Sequence, residues 1–141
     1  MCIRDRSWKK ARELVPLALD WGLEKINLKQ DTPPEANVLI IKPMRDDVDK
    51  RIAQALKWNM KATVTSHMGH PFGVLQCMQV AQDLHKKHPN LMLDPGCLTF
   101  DVFQPTEFHS HLNVQGPFIR KVAGWGVGFD LLLKGQKWLP L

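Results

Sequence analysis

Nowhere does this 141-residue chain string together the roughly 20 apolar residues that a bilayer-spanning helix needs, so no membrane helix is expected. Cysteine is scarce. Cys2, Cys77 and Cys97 are the only three, with no CxxC pair, which argues against a disulfide framework or a zinc ribbon and for a reducing, cytoplasmic setting. No block of lysine and arginine is interleaved with aromatics, and the net charge of +5 is spread along the chain, so nucleic acid is not an expected partner. The opening MCIRDRS lacks the apolar core of a secretory signal. No GxSxG elbow surrounds Ser66, and Gly124, Gly126 and Gly128 have the wrong spacing for a dinucleotide fingerprint. Internal repeats and low-complexity segments are absent too.

What is present is the composition of an ordinary soluble globular domain, 44% hydrophobic and 23% charged, at a length suited to one domain. Residues 1–6 resemble translated adapter read-through and are set outside the fold. On that reading, residues 7–141 are the C-terminal part of a longer chain.

Val38–Ile41, VLII, is the centre of the pattern. Four consecutive apolar residues, three of them β-branched, lack the alternation of a half-exposed strand and predict one covered on both faces, as in a parallel α/β sheet. Lys42 follows at its carboxyl end, where ligands bind in such sheets, and Pro43 interrupts the ladder. Two readings of Lys42 stand side by side. In one, its stem packs and its amine reaches water. In the other, partial desolvation lowers its pKa, so that it exchanges protons near neutrality or sets a compact charge against an anion.

The same rhythm recurs along the chain. A short helix is predicted from Ser7, with Trp8, Ala11, Leu14 and Val15 at helical spacing and Pro16 closing it. Residues 16–20, PLALD, form a second apolar run, this one ending in a carboxylate. Residues 21–35 read as loop. Residues 45–58 predict an amphipathic helix with Val48, Ile52, Ala55 and Leu56 on one face, the charged residues, Arg51 among them, on the other, and Asp46, Asp47 and Asp49 in the first turns, where negative charge suits the dipole. Residues 61–66 predict a strand, 67–71 a loop, and 71–87 a helix buried through Val74, Leu75, Met78, Ala81 and Leu84. Residues 90–93 form a fourth run, before Asp94-Pro95-Gly96. Strand and helix alternating in this way predict βαβ crossovers and a parallel sheet, with Asp20, Lys42, Ser66 and Asp94 along one rim. Further on, residues 98–103 are expected to be a strand, 104–111 a surface segment, and 124–133 a glycine-loosened turn leading into a final strand.

Asp20 is the natural partner of Lys42, since two rim residues on adjacent parallel strands face the same space. Alone it is an incomplete site for a hard divalent cation, which takes several oxygen ligands; its plainer role is that of a cap or loop acceptor. His67 and His70, and likewise His85 and His88, are three apart without a third ligand at metal-site spacing. His85 and His88 suit a solvated helix end. His67, next to Ser66 on the rim, is a candidate substrate contact.

The succession LALD, VLIIKP, TVTSHMGHPFGV, LDPG and GWGVGFD resembles the C-terminal half of the enolase superfamily barrel, most closely in the o-succinylbenzoate synthase family. The resemblance covers most of residues 16–133 and implies an incomplete (β/α) barrel, about strands 5 to 8 of a TIM-type fold. It places the fifth-strand metal aspartate on Asp20 and the sixth-strand Lys-Pro on Lys42 and Pro43. It places substrate-binding positions on Ser66, His67, Asp94 and Gly96. The activity it implies is that of a carbon-oxygen lyase: a base removes the proton α to a small-molecule carboxylate, Mg²⁺ or another divalent cation stabilises the enediolate, and loss of hydroxide yields the aromatic product on the route to menaquinone. Lys42 inherits stabilisation of the intermediate by charge and cation–π contact.

Trp21 stands where the family often has glutamate, residues 45–47 replace a common glycine pair, and His67 replaces a second serine. The second lysine and the other carboxylates belong to earlier strands, so the chain's missing partner is its own N-terminal half and the chain alone is expected to be inactive. Two alternatives remain open: an amino-acid racemase or dipeptide epimerase of the same superfamily, and a non-catalytic α/β binding module. A half barrel with an open strand edge should aggregate, whereas a self-contained module should melt cooperatively.

Overall fold

A computed structural model describes residues 7–20, 36–67, 69–99, 104–120 and 126–137. The expectations for residues 1–6, the loop at 21–35, residues 100–103 of a strand, and Gly124 in the C-terminal turn lie outside those residues. Helix α1, Ser7–Leu14, includes Ser7 in its first turn and ends ahead of Pro16; Leu14 and Val15 are exposed. Three short strands follow: β1 at Ala18–Leu19, β2 at Val38–Ile41 and β3 at Lys61–Val64. They pair in parallel in the order β1-β2-β3, with Leu19 opposite Leu39, Leu39 opposite Ala62, and Ile41 opposite Val64.

The expected fourth strand is reduced to bridges. Ala62 pairs with Met92 and Thr65 with Gly96, both parallel, and Pro95 between them has no N–H to continue the ladder. The hydrogen bonds Ala62 N to Leu91 O (3.0 Å), Leu93 N to Ala62 O (2.8 Å) and Gly96 N to Val64 O (2.9 Å) still tie this segment to β3.

Helix α2, Val48–Lys57, connects β2 to β3; helix α3, Pro71–Lys87, follows β3. Pro71 at the first helical position and the basic run at the last turn bound α3 where the sequence pattern predicts. Alternation along the strands puts Leu39, Ile41, Ala62 and Val64 on one face, all with no exposed surface, in one core with Ile52 and Ala55 of α2 and Val74, Cys77, Ala81 and Leu84 of α3. Val38, Ile40 and Thr63 point the other way and are only half-buried. The expectation of a strand sealed on both faces is therefore corrected: among the described residues β2 is sealed on its helix side alone. Leu56, expected inside, is 56% exposed, and Arg51, expected among the charges, is buried.

The C-terminal third departs further from expectation. Residues 104–111 contain helix α4, Glu107–Ser110, and an antiparallel hairpin follows, β4 at Asn113–Gln115 and β5 at Phe118–Arg120. Gly116 turns it at φ +58, a conformation that favours glycine. Instead of a final strand, Asp130–Gly135 forms helix α5, with Leu133 N bonded to Phe129 O at 2.9 Å. Leucine is a strong helix former, and an apolar triplet carries no period to tell strand from helix. Phe129 stacks on Phe72 (centroids 5.9 Å apart) and meets Phe108 edge-on (5.3 Å), which joins α3, α4 and the start of α5. No helix among the described residues is long and apolar enough to cross a membrane.

Candidate active site

Asp20 directly follows β1 and Lys42 directly follows β2, so both stand at the carboxyl ends of neighbouring parallel strands. Alternation gives them the same side, the half-open face of Val38 and Ile40, because each lies two residues beyond a strand residue on that face. Lys42 Nζ lies 2.9 Å from Asp20 Oδ1 and 3.0 Å from Oδ2, spanning the carboxylate. The Lys42 side chain is 18% exposed and that of Asp20 44%, so the lysine is the more deeply held partner.

The backbone around Lys42 is fixed by the turn into α2. Lys42 O accepts from both Arg45 N and Asp46 N at 2.8 Å, and Lys42 N donates to Asp46 Oδ2 at 2.7 Å. The other oxygen of Asp46 accepts from Arg51 Nε and Nη2, each at 3.1 Å, and Arg51 Nη1 donates to Gln54 Oε1 at 2.8 Å. Asp47 caps α2 by accepting from Lys50 N at 3.1 Å. Asp46 was expected to serve the helix dipole; it stands instead one residue ahead of the cap and bonds back to Lys42. An acidic residue four positions after a strand-end lysine, with an arginine five further on, is the signal that would have shown it.

The other four predicted site residues lie elsewhere. Ser66 is buried and its hydroxyl is bonded to that of Thr99. Together with the exposed His67 it lines a cavity of about 680 Å³ walled by Phe72, Val74 and Phe108, whose lining includes Met44 but neither Lys42 nor Asp20. Asp94 and Gly96 line a separate cleft of about 580 Å³, beside Leu98 and Phe118. Asp94 holds β3 through its carbonyl, which accepts from Thr63 Oγ1 at 2.8 Å; Ser66 N donates to Gly96 O at 3.3 Å, which links the two regions through backbone.

Two further titratable groups line these spaces, His70 the larger cavity and Cys97 the smaller cleft. His70 caps α3, with Nδ1 accepting from Phe72 N at 3.3 Å, and its ring meets Phe108 edge-on at 4.5 Å. Burial, then the charge of His109, hold its pKa below the ordinary 6.5. Burial pushes the Cys97 thiol up to about 11, with Cys77 adding to the rise and a hydrogen bond from the Ser66 backbone working against it.

Among the described residues no three of His, Cys, Asp and Glu come together to hold a metal ion. Asp20 is a single carboxylate, and both its oxygens face an ammonium within 3.0 Å. The described residues therefore do not by themselves form a magnesium site, which takes oxygen ligands in near-octahedral geometry.

No family model matches the chain. It is 42% identical over 135 residues to an o-succinylbenzoate synthase from Bdellovibrio bacteriovorus. The match takes in 96% of this chain and 41% of that relative, so the chain spans about two fifths of the length of the protein it resembles. The order of strand-end motifs and this match over almost every residue agree: the chain is similar to part of an o-succinylbenzoate synthase.

Proposed function

We propose that this chain is the portion of an o-succinylbenzoate synthase-like dehydratase that carries the Asp20 and Lys42 rim of a (β/α) barrel. The single observation that supports it most is the Lys42–Asp20 pair at the carboxyl ends of adjacent parallel strands, inside a segment 42% identical to such an enzyme. The reaction is a β-elimination. A base outside this chain takes the proton α to a carboxylate, and the C–H electron pair moves into the carboxylate as an enediolate. Those electrons then form the ring double bond as the β carbon-oxygen bond breaks, the departing hydroxide taking up that proton to leave as water. A benzoate product requires the substrate to be a cyclohexadiene carboxylate bearing that hydroxyl.

Lys42 supplies a fixed positive charge where negative charge builds. With no substrate bound it is spanned by Asp20; an enediolate developing beside it offers a second, more highly charged partner, and only such differential stabilisation lowers the barrier. Asp20 keeps the ammonium on the open face and, in the assembled enzyme, is offered as one carboxylate towards a divalent cation that would supply Lewis-acid stabilisation. The described residues contribute no second carboxylate to that site, so the chain alone is expected to be inert.

The test is an exchange. The matched 135-residue segment of the Bdellovibrio relative is replaced by this chain's, and formation of o-succinylbenzoate is followed with Mg²⁺. A folded hybrid should turn over, and Lys42→Ala in it should lower kcat by orders of magnitude. A folded hybrid whose turnover survives Lys42→Ala would remove the lysine from the reaction.

A further inference from the structure

We infer that Asp46, held by Arg51, is a positioning residue for Lys42: a carboxylate clamp that fixes the backbone from which the reactive ammonium is presented. The inference rests on the reading of Lys42 as the charge that meets the intermediate, and it adds a part that neither the strand-end motifs nor the match to a relative assigns.

The geometry carries it. A lysine side chain has four rotatable carbon bonds, so its amine is placed only as well as its backbone is. Lys42 is the first residue beyond β2, where the ladder has stopped, and its N–H would otherwise lack a strand partner. Asp46 Oδ2 takes that N–H at 2.7 Å, the short distance of a charge-assisted bond. Lys42 O meanwhile accepts the backbone N–H groups of Arg45 and Asp46, so both polar groups of the Lys42 backbone are satisfied inside one turn. The carboxylate itself is held: Arg51, buried within α2, donates to its other oxygen through Nε and Nη2, and Gln54 takes a third arginine N–H. The Asp46 side chain is 15% exposed and that of Arg51 8%, so the pair is shielded from water and stiff compared with a surface ion pair. The result is a continuous connection from the buried face of α2, through Arg51 and Asp46, to the Lys42 amide and on to the ammonium facing Asp20. It occupies the place where the family resemblance leads one to expect a glycine pair, so this chain fixes its lysine by side-chain bonds at a position where such glycines could form none.

The experiment is side-chain and amide NMR on the folded hybrid enzyme, with Asp46→Asn and Asp46→Glu as variants and Lys61 as an internal reference. Lys61 Nζ donates to Asn90 O at 2.6 Å; Lys61 opens β3 opposite Val38, at the other end of the strand pair from Lys42, and reports whether the fold persists. Asp46→Asn should leave the Lys61 signal in place, lower exchange protection of the Lys42 amide by about tenfold or more, as expected on weakening a hydrogen bond to a charged group, and move the Lys42 Nζ resonance towards that of a solvated lysine. Asp46→Glu should restore part of both. If Asp46→Asn unfolds the hybrid, Arg51→Lys, which keeps the charge but loses the two-pronged grip, should produce the same Lys42 changes at smaller amplitude. Unchanged Lys42 amide protection and Nζ shift in a folded Asp46→Asn hybrid would overturn the clamp. Failure of the catalytic reading looks different: the Lys42 signals would move as described while turnover of the hybrid enzyme stayed insensitive to Lys42→Ala.

Discussion

The amine of Lys42 sits 2.9 Å and 3.0 Å from the two carboxylate oxygens of Asp20, twenty-two residues earlier in the chain and one strand away in the sheet. Because the pair is partly exposed, its contribution to folding is small, about 1 kcal/mol or less. In the folded hybrid, Asp20→Asn should therefore shift the urea midpoint only slightly, while it should weaken magnesium affinity and lower turnover. A large loss of stability on that substitution would make the pair a structural tie rather than a functional one.

Leu39 and Ile40 are neighbours on β2 with opposite surroundings, Leu39 having no exposed surface and Ile40 being half-buried on the open face. Leu39→Ala should cost about 2–5 kcal/mol, the range for emptying a packed core site, and Ile40→Ala distinctly less. Urea denaturation of the two variants measures the contrast directly. Equal losses would show that both faces of the sheet are sealed in solution, by self-association or by chain outside the described residues.

The two ends of this comparison were not equally legible in the sequence. β2 and α3 were: a four-residue apolar run rich in β-branched residues is strand length and strand composition, and a proline-to-lysine amphipathic span carries the helix period. The meeting of Asp20 and Lys42 was readable from strand-end placement alone. The half-open face was not, since an apolar side chain shows what it would tolerate and not what lies against it. Arg51 was misplaced because its charge matched the outer face of α2, while its actual partner, Asp46, lies outside the helix period. Helix α5 hid behind three leucines, and the β4–β5 hairpin turns on Gly116-Pro117 between two largely exposed strands of three residues each, too short to announce themselves by a period.

His70 gives the fold an acid sensitivity of known sign. Its folded-state pKa lies below 6.5, so as pH falls through 6.5 the unfolded chain takes up the proton first, and the stability present at neutral pH is lost until the folded value is passed. Protonation also removes the Nδ1 lone pair that caps α3 and places a cation at the positive end of a 17-residue helix. His70→Asn keeps a capping oxygen and does not titrate. Its urea midpoint should fall less between pH 7 and pH 5 than that of the unsubstituted chain, and parallel falls would clear His70 of the effect.

Cys97 works at the opposite end of the scale. Its thiol is 5% exposed and its folded pKa is about 11, against an ordinary value of 9.0. The raised value means that the native state holds the proton after the unfolded chain has released it. Stability is therefore full below pH 9, declines as pH climbs from there towards 11, and is level beyond. A buried, protonated thiol is also a poor nucleophile, because the thiolate is the reactive form. Iodoacetamide at pH 8 should accordingly label Cys97 slowly in the native chain and rapidly in urea, with peptide mass mapping separating it from Cys77, whose thiol burial also pushes up. Cys97→Ala should flatten the alkaline decline between pH 9 and 11. Rapid native labelling at Cys97 would mean that the segment after Gly96 opens readily, and the packing of the Met92 to Cys97 run against β3 would have to be redrawn as a transient contact.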